Sequence, residues 1–442
     1  MKKSFLFILF CFVTIVFRAQ VVTISDPALK TGNSLLAEKK YTEAIKVFDK
    51  VIKDSPKNAE AYYSRGVAYS NIGNTIEAIS DYTRAIYFNP KKVEALVNRG
   101  TTFSGMQKYD DAINDFNSAL AIAPNLAEIY NNRGYLYNLQ RKYDLAIADF
   151  GKAIQLNNKY TMAYINQAHA YSALGSDSLS IKVLSKLIAI NPDVSSAYFN
   201  RAYMHRELKN NKLALADYNK GLELEPTDVF ALLKRAEIKD EMGNDAGAVE
   251  DCSKAIQLDS TNALAYYTRA LAEFDLKKYD KIIDDCTYAL KYKKDYNEAI
   301  ILRGNAYDFM GKYQQALMDY NVAIEKNPNS TDGYNQRAIA ETQKGNLVCA
   351  ISDLTRALKV APGNLDILHK RAILFFTTKN YESAIEDYNK MLEINSDDSS
   401  ILLARGDLFL LQKKSELACE DYKRAEKLGN GAAKSKRIFN CK

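Results

Sequence analysis

The sequence lacks the residues on which most enzyme and metal sites depend. Among 442 residues it contains no tryptophan and only three histidines, and His169, His205 and His369 have no companion at a metal-binding spacing. It has no glycine-rich phosphate-binding motif, and no strand-rich segment could seat a nucleophile elbow. We therefore expect a protein with no metal site, no cofactor and no catalytic residues.

Cysteine is also scarce, with six in the whole chain. Those beyond the N-terminal segment are odd in number, widely spaced and without a CxxC motif, which argues against a disulfide framework or a zinc site. The pattern favours small buried free thiols. The five residues are Cys252, Cys286, Cys349, Cys419 and Cys441.

A strong excess of either charge is missing as well. The chain has 60 Lys+Arg against 54 Asp+Glu, a net charge of +6. No block of five or six like charges accompanies this small excess, and such blocks are the usual sign of a nucleic-acid-binding tail or patch. We expect no nucleic-acid partner.

The N-terminus carries the one long apolar run. Lys2 and Lys3 precede Phe5–Phe17, in which Thr14 is the only polar residue, and Ala19 follows shortly after. A basic start, a short apolar run and a small residue are typical of a secretory signal. The sequence therefore predicts a signal peptide at residues 1–19 and export of the rest to the periplasm or cell envelope, or beyond it.

An uncleaved anchor is the alternative interpretation of this segment. The apolar run alone is too short for a bilayer, which takes about 20 residues, but Val21, Val22 and Ile24 could extend it. The two lysines would remain cytoplasmic in either case. We expect membrane contact only through this segment.

An internal repeat organises the remainder of the chain. A 34-residue period beginning at Ser25 runs through twelve units without insertion to Ala432, with Gly or Ala at position 8 of every unit. In the fourth unit, Tyr130, Gly134 and Tyr137 form one helical stripe and Phe150 lies on another, which predicts two antiparallel helices, A and B, per unit. The units are 25–58, 59–92, 93–126, 127–160, 161–194, 195–228, 229–262, 263–296, 297–330, 331–364, 365–398 and 399–432.

This pattern resembles the tetratricopeptide repeat (TPR) family along essentially the whole mature chain. The resemblance implies an all-α, right-handed superhelical solenoid of about twelve 34-residue helix-turn-helix repeats, with A helices lining a concave face. Residues 433–442 would start a further A helix without a B helix, and we interpret them as a C-terminal capping tail.

Charges recur beside the small-residue stripes of the repeats. Position 7 is Arg and position 23 is Asp in ten units, whereas Thr31/Val47 and Gln167/Val183 replace both residues together. Joint loss indicates that the two positions are partners within one unit, so we predict partly buried structural ion pairs. These include Arg133–Asp149, Arg201–Asp217 and Arg303–Asp319.

Three units depart from the pattern. Lys239 and Glu273 occupy a position that is usually aromatic or apolar, and the same two units carry Cys252 and Cys286 at position 24. In the fifth unit Ser180 replaces an alanine. We expect these units to be less well packed, either through sequence drift or as flexible joints.

The resemblance also supplies a candidate binding face, formed by A-helix positions 2, 5, 6, 9, 12 and 13. An asparagine side chain offers a donor and an acceptor, as a peptide group does, and neighbouring A helices about 10 Å apart match roughly three residues of extended chain. We predict a peptide-binding groove there, although asparagine could simply be common at position 6. The candidates are Asn98, Asn131, Asn132, Tyr135, Asn166, His169, Asn200 and Tyr203.

Acidic residues cluster near the middle of the same face. Glu207, Glu237, Asp240, Glu241 and Asp275 lie there in the sequence pattern, and they favour a neutral or basic partner. The sequence therefore predicts an exported scaffold that binds extended protein or peptide segments. An envelope-associated, self-assembling structural protein and, more remotely, a carbohydrate-binding module are the alternatives.

Overall fold

The computed structural model describes residues 26–441, and this part of the chain forms 25 α-helices and no strand. The chain divides into two compact units, Met1–Pro226 and Thr227–Lys442. Within each unit, helices of 10 to 14 residues follow one another in antiparallel pairs. The predicted all-α tandem-repeat fold is confirmed, while the predicted signal peptide at residues 1–19 lies outside the described residues.

The first unit holds the helix pairs of repeats one to six. The helices are α1 (Pro27–Ala37), α2 (Tyr41–Asp54), α3 (Ala59–Asn71), α4 (Thr75–Phe88), α5 (Val93–Gly105), α6 (Tyr109–Ile122), α7 (Ala127–Leu139), α8 (Tyr143–Leu156), α9 (Thr161–Ala173), α10 (Asp177–Ile190), α11 (Ser195–Glu207) and α12 (Asn211–Leu224).

The second unit holds repeats seven to twelve and a final single helix. The helices are α13 (Val229–Glu241), α14 (Asp245–Leu258), α15 (Ala263–Asp275), α16 (Tyr279–Tyr292), α17 (Asn297–Phe309), α18 (Tyr313–Lys326), α19 (Thr331–Gln343), α20 (Leu347–Val360), α21 (Leu365–Thr377), α22 (Tyr381–Ile394), α23 (Ser399–Leu411), α24 (Ser415–Lys427) and α25 (Gly431–Asn440).

Small residues at position 8 allow the two helices of a repeat to approach. A Cβ added at Gly134 would lie 2.9 Å from Cε1 of Phe150, closer than side chains tolerate. In repeat eight the volume is divided differently, since Ala270 and Cys286 occupy the corresponding positions and both are fully buried. Complete burial of both residues shows that they belong to the core of this repeat, and the prediction that repeats seven and eight are less well packed stays a prediction.

The ten Arg–Asp pairs form bidentate ion pairs within their repeats. Arg133 Nε donates to Asp149 Oδ2 and Nη2 donates to Oδ1, both at 2.7 Å. Asp149 is buried, and the arginine side chain is 19% exposed. In repeat seven, Lys239 Nζ lies 2.8 Å from Asp251, so this irregular residue adds a second cation to the carboxylate.

The arginine also joins its repeat to the preceding one. Arg133 Nη1 donates to Asn117 Oδ1 at 2.6 Å, and Asn117 is position 25 of repeat three. Among residues 26–441 the same contact recurs in other repeats. The acceptors include Asp49, Thr83, Asn117, Ser185, Ser253, Thr287, Asn321, Thr355 and Asn389. Each guanidinium therefore ties together three helices from two repeats.

The expectation that all five cysteines are buried free thiols is wrong for three of them. Cys419 and Cys441 form a disulfide, because α25 folds back along α24 and brings two residues 22 apart in sequence to a Cα–Cα distance of 5.7 Å. Cys349 is free but exposed, and only Cys252 and Cys286 are buried free thiols. The disulfide fastens the final helix, which starts at Gly431, two residues before the predicted tail.

Among residues 26–441, no helix combines the length and apolarity needed to cross a membrane.

Candidate functional site

Two of the four position-6 asparagines form a hydrogen bond with the residue at position 5 of the preceding repeat. Asn98 Nδ2 donates to Tyr63 Oη at 3.4 Å, and Asn166 Nδ2 donates to Asn131 Oδ1 at 3.0 Å. In both cases the partners are 35 residues apart and lie on neighbouring A helices. Asn98 and Asn166 therefore link successive repeats along this face.

The other two position-6 asparagines lack such a partner, because the preceding position 5 is apolar. Val97 stands before Asn132 and Ile165 before Asn200. Asn200 Nδ2 instead donates to the Ser196 carbonyl of its own helix at 2.7 Å. Asn132 accepts a long hydrogen bond, 3.4 Å, from Asn131 Nδ2. The four asparagines therefore differ in their hydrogen-bond partners, and only Asn98 and Asn166 link successive repeats.

Three amides form a chain with two open ends. Asn166 donates to Asn131, which donates to Asn132. Within residues 26–441, Asn166 Oδ1 and Asn132 Nδ2 are then left without a hydrogen-bond partner, and both residues are only 4% exposed. Each such buried polar atom costs about 1–3 kcal/mol. A group that supplied one donor and one acceptor would satisfy both ends.

His169 continues this polar face into repeat six. The Ser196 carbonyl can only accept, so the amide nitrogen of Asn200 must face it and Oδ1 must face His169, whose Nε2 lies 2.7 Å away. His169 Nε2 therefore carries the proton. Burial lowers the pKa of His169, and the bond to Asn200 only partly opposes this effect. His169 is consequently neutral at pH 7.

The predicted groove residues divide into two groups by exposure. Asn98, Tyr135, His169 and Tyr203 are half-buried, and burial raises the pKa of both tyrosines, which keeps their hydroxyls protonated. The other four are buried, and of these only Asn132 and Asn166 have a polar atom without a hydrogen-bond partner among the described residues. These four are Asn131, Asn132, Asn166 and Asn200.

Sequence reasoning missed two contributors to this arrangement. Position 5 of the preceding repeat decides whether a position-6 asparagine has a partner, as Tyr63 and Val97 show. The residue at position 25 accepts a hydrogen bond from the arginine of the next repeat, and this partnership could have been predicted from the sequence. Gly151, which has no acceptor side chain, stands before Gln167, one of the two residues that replace the arginine.

In the second unit, three carboxylates come together. Oxygen atoms of Asp240, Asp245 and Asp275 lie within 4.8 Å of one another. Burial raises the pKa of Asp240, and the negative charges of Asp245 and Asp275 raise it further. In the described part of this unit, these three carboxylates are spaced closely enough to hold a cation. Groups of exposed acidic residues are also common in proteins without a bound ion.

The chain is similar in part to several known proteins. A 50-residue stretch is 40% identical to Hsp70-Hsp90 organizing protein 1 of Glycine max, which is 11% of this chain and 9% of that relative's length. The crystal structure of MamA is 27% identical over 36% of this chain and 94% of its own, with a TM-score of 0.35. Yeast Tom70 is 17% identical over 93% of each chain, with a TM-score of 0.44.

Family models cover more than half of the chain. A TPR repeat model matches residues 32–73 and 105–141. Tetratricopeptide repeat models match residues 59–92, 127–160, 163–194, 195–228, 289–330, 350–399 and 369–433. The chain belongs to the tetratricopeptide repeat family.

Proposed function

We propose that this chain is an exported scaffold that binds extended segments of partner proteins along the A-helix face of repeats three to six. Tetratricopeptide repeats are typical of protein–protein interaction scaffolds, and the family is typically non-enzymatic. One relative, which is similar to this chain over 50 residues, is named an organizing protein.

The amide chain is the observation that carries the proposal. Asn132 Nδ2 offers a donor and Asn166 Oδ1 an acceptor, and neither has a partner among the described residues. A peptide group of an extended segment presents a carbonyl, which would accept from Asn132 Nδ2, and an N–H, which would donate to Asn166 Oδ1. Recognition of this kind depends on the backbone and tolerates many side chains.

A selection with displayed peptides tests the binding part of the proposal. A phage library of twelve-residue peptides is selected on the chain lacking residues 1–19, and the affinity of a selected peptide is measured by fluorescence anisotropy. We expect Asn132→Leu to weaken binding about tenfold, since one hydrogen bond to a buried amide is lost. N-methylation of one central peptide amide should weaken binding by a similar factor.

Asn114→Ala serves as the matched control, because Asn114 is exposed on helix α6. Thermal unfolding of both variants shows whether the fold is retained. If Asn132→Leu folds and binds as tightly as the unmodified chain, binding along this face is excluded.

Two observations support export. Lys2, Lys3 and the run Phe5–Phe17 have the form of a secretory signal. The Cys419–Cys441 disulfide is of a kind that persists in oxidising compartments. Fractionation of cells that produce the chain with and without residues 2–19 tests this: only the complete chain should reach the envelope or periplasm. Equal cytoplasmic retention of both would exclude export.

A further inference from the structure

Three aromatic side chains of the second unit form a packed group that is open on one side. The rings of Tyr279 and Phe309 stack with centroids 5.4 Å apart and an interplanar angle of 2°, and Phe274 meets Phe309 edge-on at 5.4 Å. Phe309 nevertheless remains 61% exposed. We name this group the aromatic patch; it consists of Phe274, Tyr279 and Phe309. An exposed ring in such a group is a typical anchor point for a partner.

Uncompensated negative charge borders this patch. Asp275 follows Phe274 directly on helix α15, and its carboxylate lies within 4.8 Å of those of Asp240 and Asp245. Asp240, Asp245 and Asp275 are called the acidic rim. Within residues 227–441, no lysine or arginine nitrogen lies within 4.0 Å of these three carboxylates.

The basic residues next to the rim along the chain do not change this. Lys239 directly precedes Asp240, but its Nζ lies 2.8 Å from Asp251. Lys277 and Lys278 belong to the turn that follows Asp275, and both are exposed. Neither forms an ion pair with the rim among the described residues. Asp240 Oδ1 is moreover enclosed and without a hydrogen-bond partner. The rim therefore retains the mutual repulsion of its three carboxylates, which an incoming cation would relieve.

We propose that the aromatic patch and the acidic rim together form a docking site for an arginine-bearing segment of a partner protein. A guanidinium can lie against an aromatic ring and donate to carboxylates at the same time, which an ammonium does less well. An apolar residue next to that arginine would cover Phe274 and Phe309. The inference rests on the proposed scaffold function and assigns it a second, chemically different site.

Peptide selection can test this site separately from the asparagine site. Peptides selected from the twelve-residue library on the chain lacking residues 1–19 should be enriched in arginine next to a large apolar residue. For a selected peptide, Phe309→Ser and the pair Asp240→Asn/Asp275→Asn should each weaken binding at least tenfold in fluorescence anisotropy. Replacement of the peptide arginine by citrulline should produce the same loss.

Matched controls use residues of the same type elsewhere in the second unit. Phe439 is 82% exposed on α25, and Asp284 is exposed on α16, so Phe439→Ser and Asp284→Asn should leave binding unchanged. Thermal unfolding of every variant shows that the fold is retained.

Several results would overturn the inference. Peptides without arginine enrichment, or binding that is unaffected by the Phe309 and rim variants, would do so while leaving the asparagine site intact. Calcium binding to the rim without any effect of the variants on peptides would identify a metal site instead. A dimer lost in Phe309→Ser would identify a second copy as the occupant. If no peptide is selected at all, the scaffold proposal itself fails.

Discussion

Repeats four and five join their helices in two different ways. In repeat four, Arg133 holds Asp149 with two hydrogen bonds and reaches back to Asn117 with a third. In repeat five, Gln167 and Val183 stand at the positions of this arginine and aspartate. Gln167 Nε2 donates to the backbone carbonyl of Ile147, because the side-chain acceptor of the preceding repeat is missing.

The comparison shows that three positions change together. The arginine, its aspartate and the acceptor in the preceding repeat are all absent at repeat five, where Gly151 takes the acceptor's place. Leu184 and Leu187 are fully buried there, so apolar packing holds this pair of helices. A complete replacement leaves no unpaired charge, whereas loss of one partner would leave a partly buried charge without compensation.

The largest expected effect comes from breaking the comparison at repeat four. Asp149→Ala leaves the half-buried Arg133 guanidinium unpaired and should lower the local stability of α7 and α8 by about 3 kcal/mol. Val183→Ala, the equivalent change in repeat five, should cost only about 1–2 kcal/mol of packing. Native-state hydrogen exchange of the two helix pairs measures both values.

The double variant Arg133→Gln/Asp149→Val places the residues of repeat five in repeat four. It should destabilise repeat four by less than Asp149→Ala alone, since no charge remains unpaired. If the losses from the two single replacements simply added up, the pair would not be coupled.

The next effect concerns the end of the array, which is held covalently. Cys419→Ser should lower the stability of α25 against local opening by about 2–4 kcal/mol, because the disulfide closes a loop of 22 residues. Interior helices such as α7 should be unaffected. Cys349→Ser, which removes an exposed free thiol, is the control. Unchanged exchange rates in α25 would show that packing alone holds the cap.

A third prediction extends the comparison to repeat eight, where Glu273 stands at the position of Tyr137 in repeat four. Glu273 is 3% exposed and its Oε2 has no partner among the described residues. Burial, with the charge of Asp285 as the second cause, raises the pKa of Glu273 from 4.5 to about 7. The folded state therefore prefers the protonated carboxyl.

The sign of the pH dependence follows from this. The contribution of Glu273 to stability is complete below pH 4.5, falls as the pH rises from 4.5 to 7, and is then constant, with a total loss of about 3 kcal/mol. Glu273→Gln should remove this decrease, which urea unfolding at pH 4.5 and pH 8 measures. A decrease of equal size in the variant would assign it to another group.

The periodicity made the helix pairs and the partnership of Arg133 with Asp149 predictable, because both depend only on the 34-residue period. The open amide chain was not predictable, since it depends on Val97 and Asn131, which act on asparagines 35 residues away. The disulfide was missed because α24 is one residue shorter than the other B helices and the turn after it is also one residue shorter. Together these two differences make α25 start two residues earlier than the period predicts. Arg437 then becomes the seventh residue of α25, the place of Arg133 in α7.

The smallest effect lies in the turns between A and B helices. Position 15 has a positive φ in both repeats, but it is Arg141 at 60° in repeat four and Gly175 at 72° in repeat five. The left-handed conformation costs a residue with a side chain about 1–2 kcal/mol. Glycine avoids this cost, but it makes the unfolded chain more flexible, which offsets part of the gain in stability. Arg141→Gly should therefore stabilise repeat four by roughly 0.5 kcal/mol, and Gly175→Arg should destabilise repeat five by a similar amount. Hydrogen exchange of α8 and α10 measures the pair. Loss of stability in Arg141→Gly together with a gain in Gly175→Arg would mean that contacts of the arginine side chain outweigh the backbone conformation.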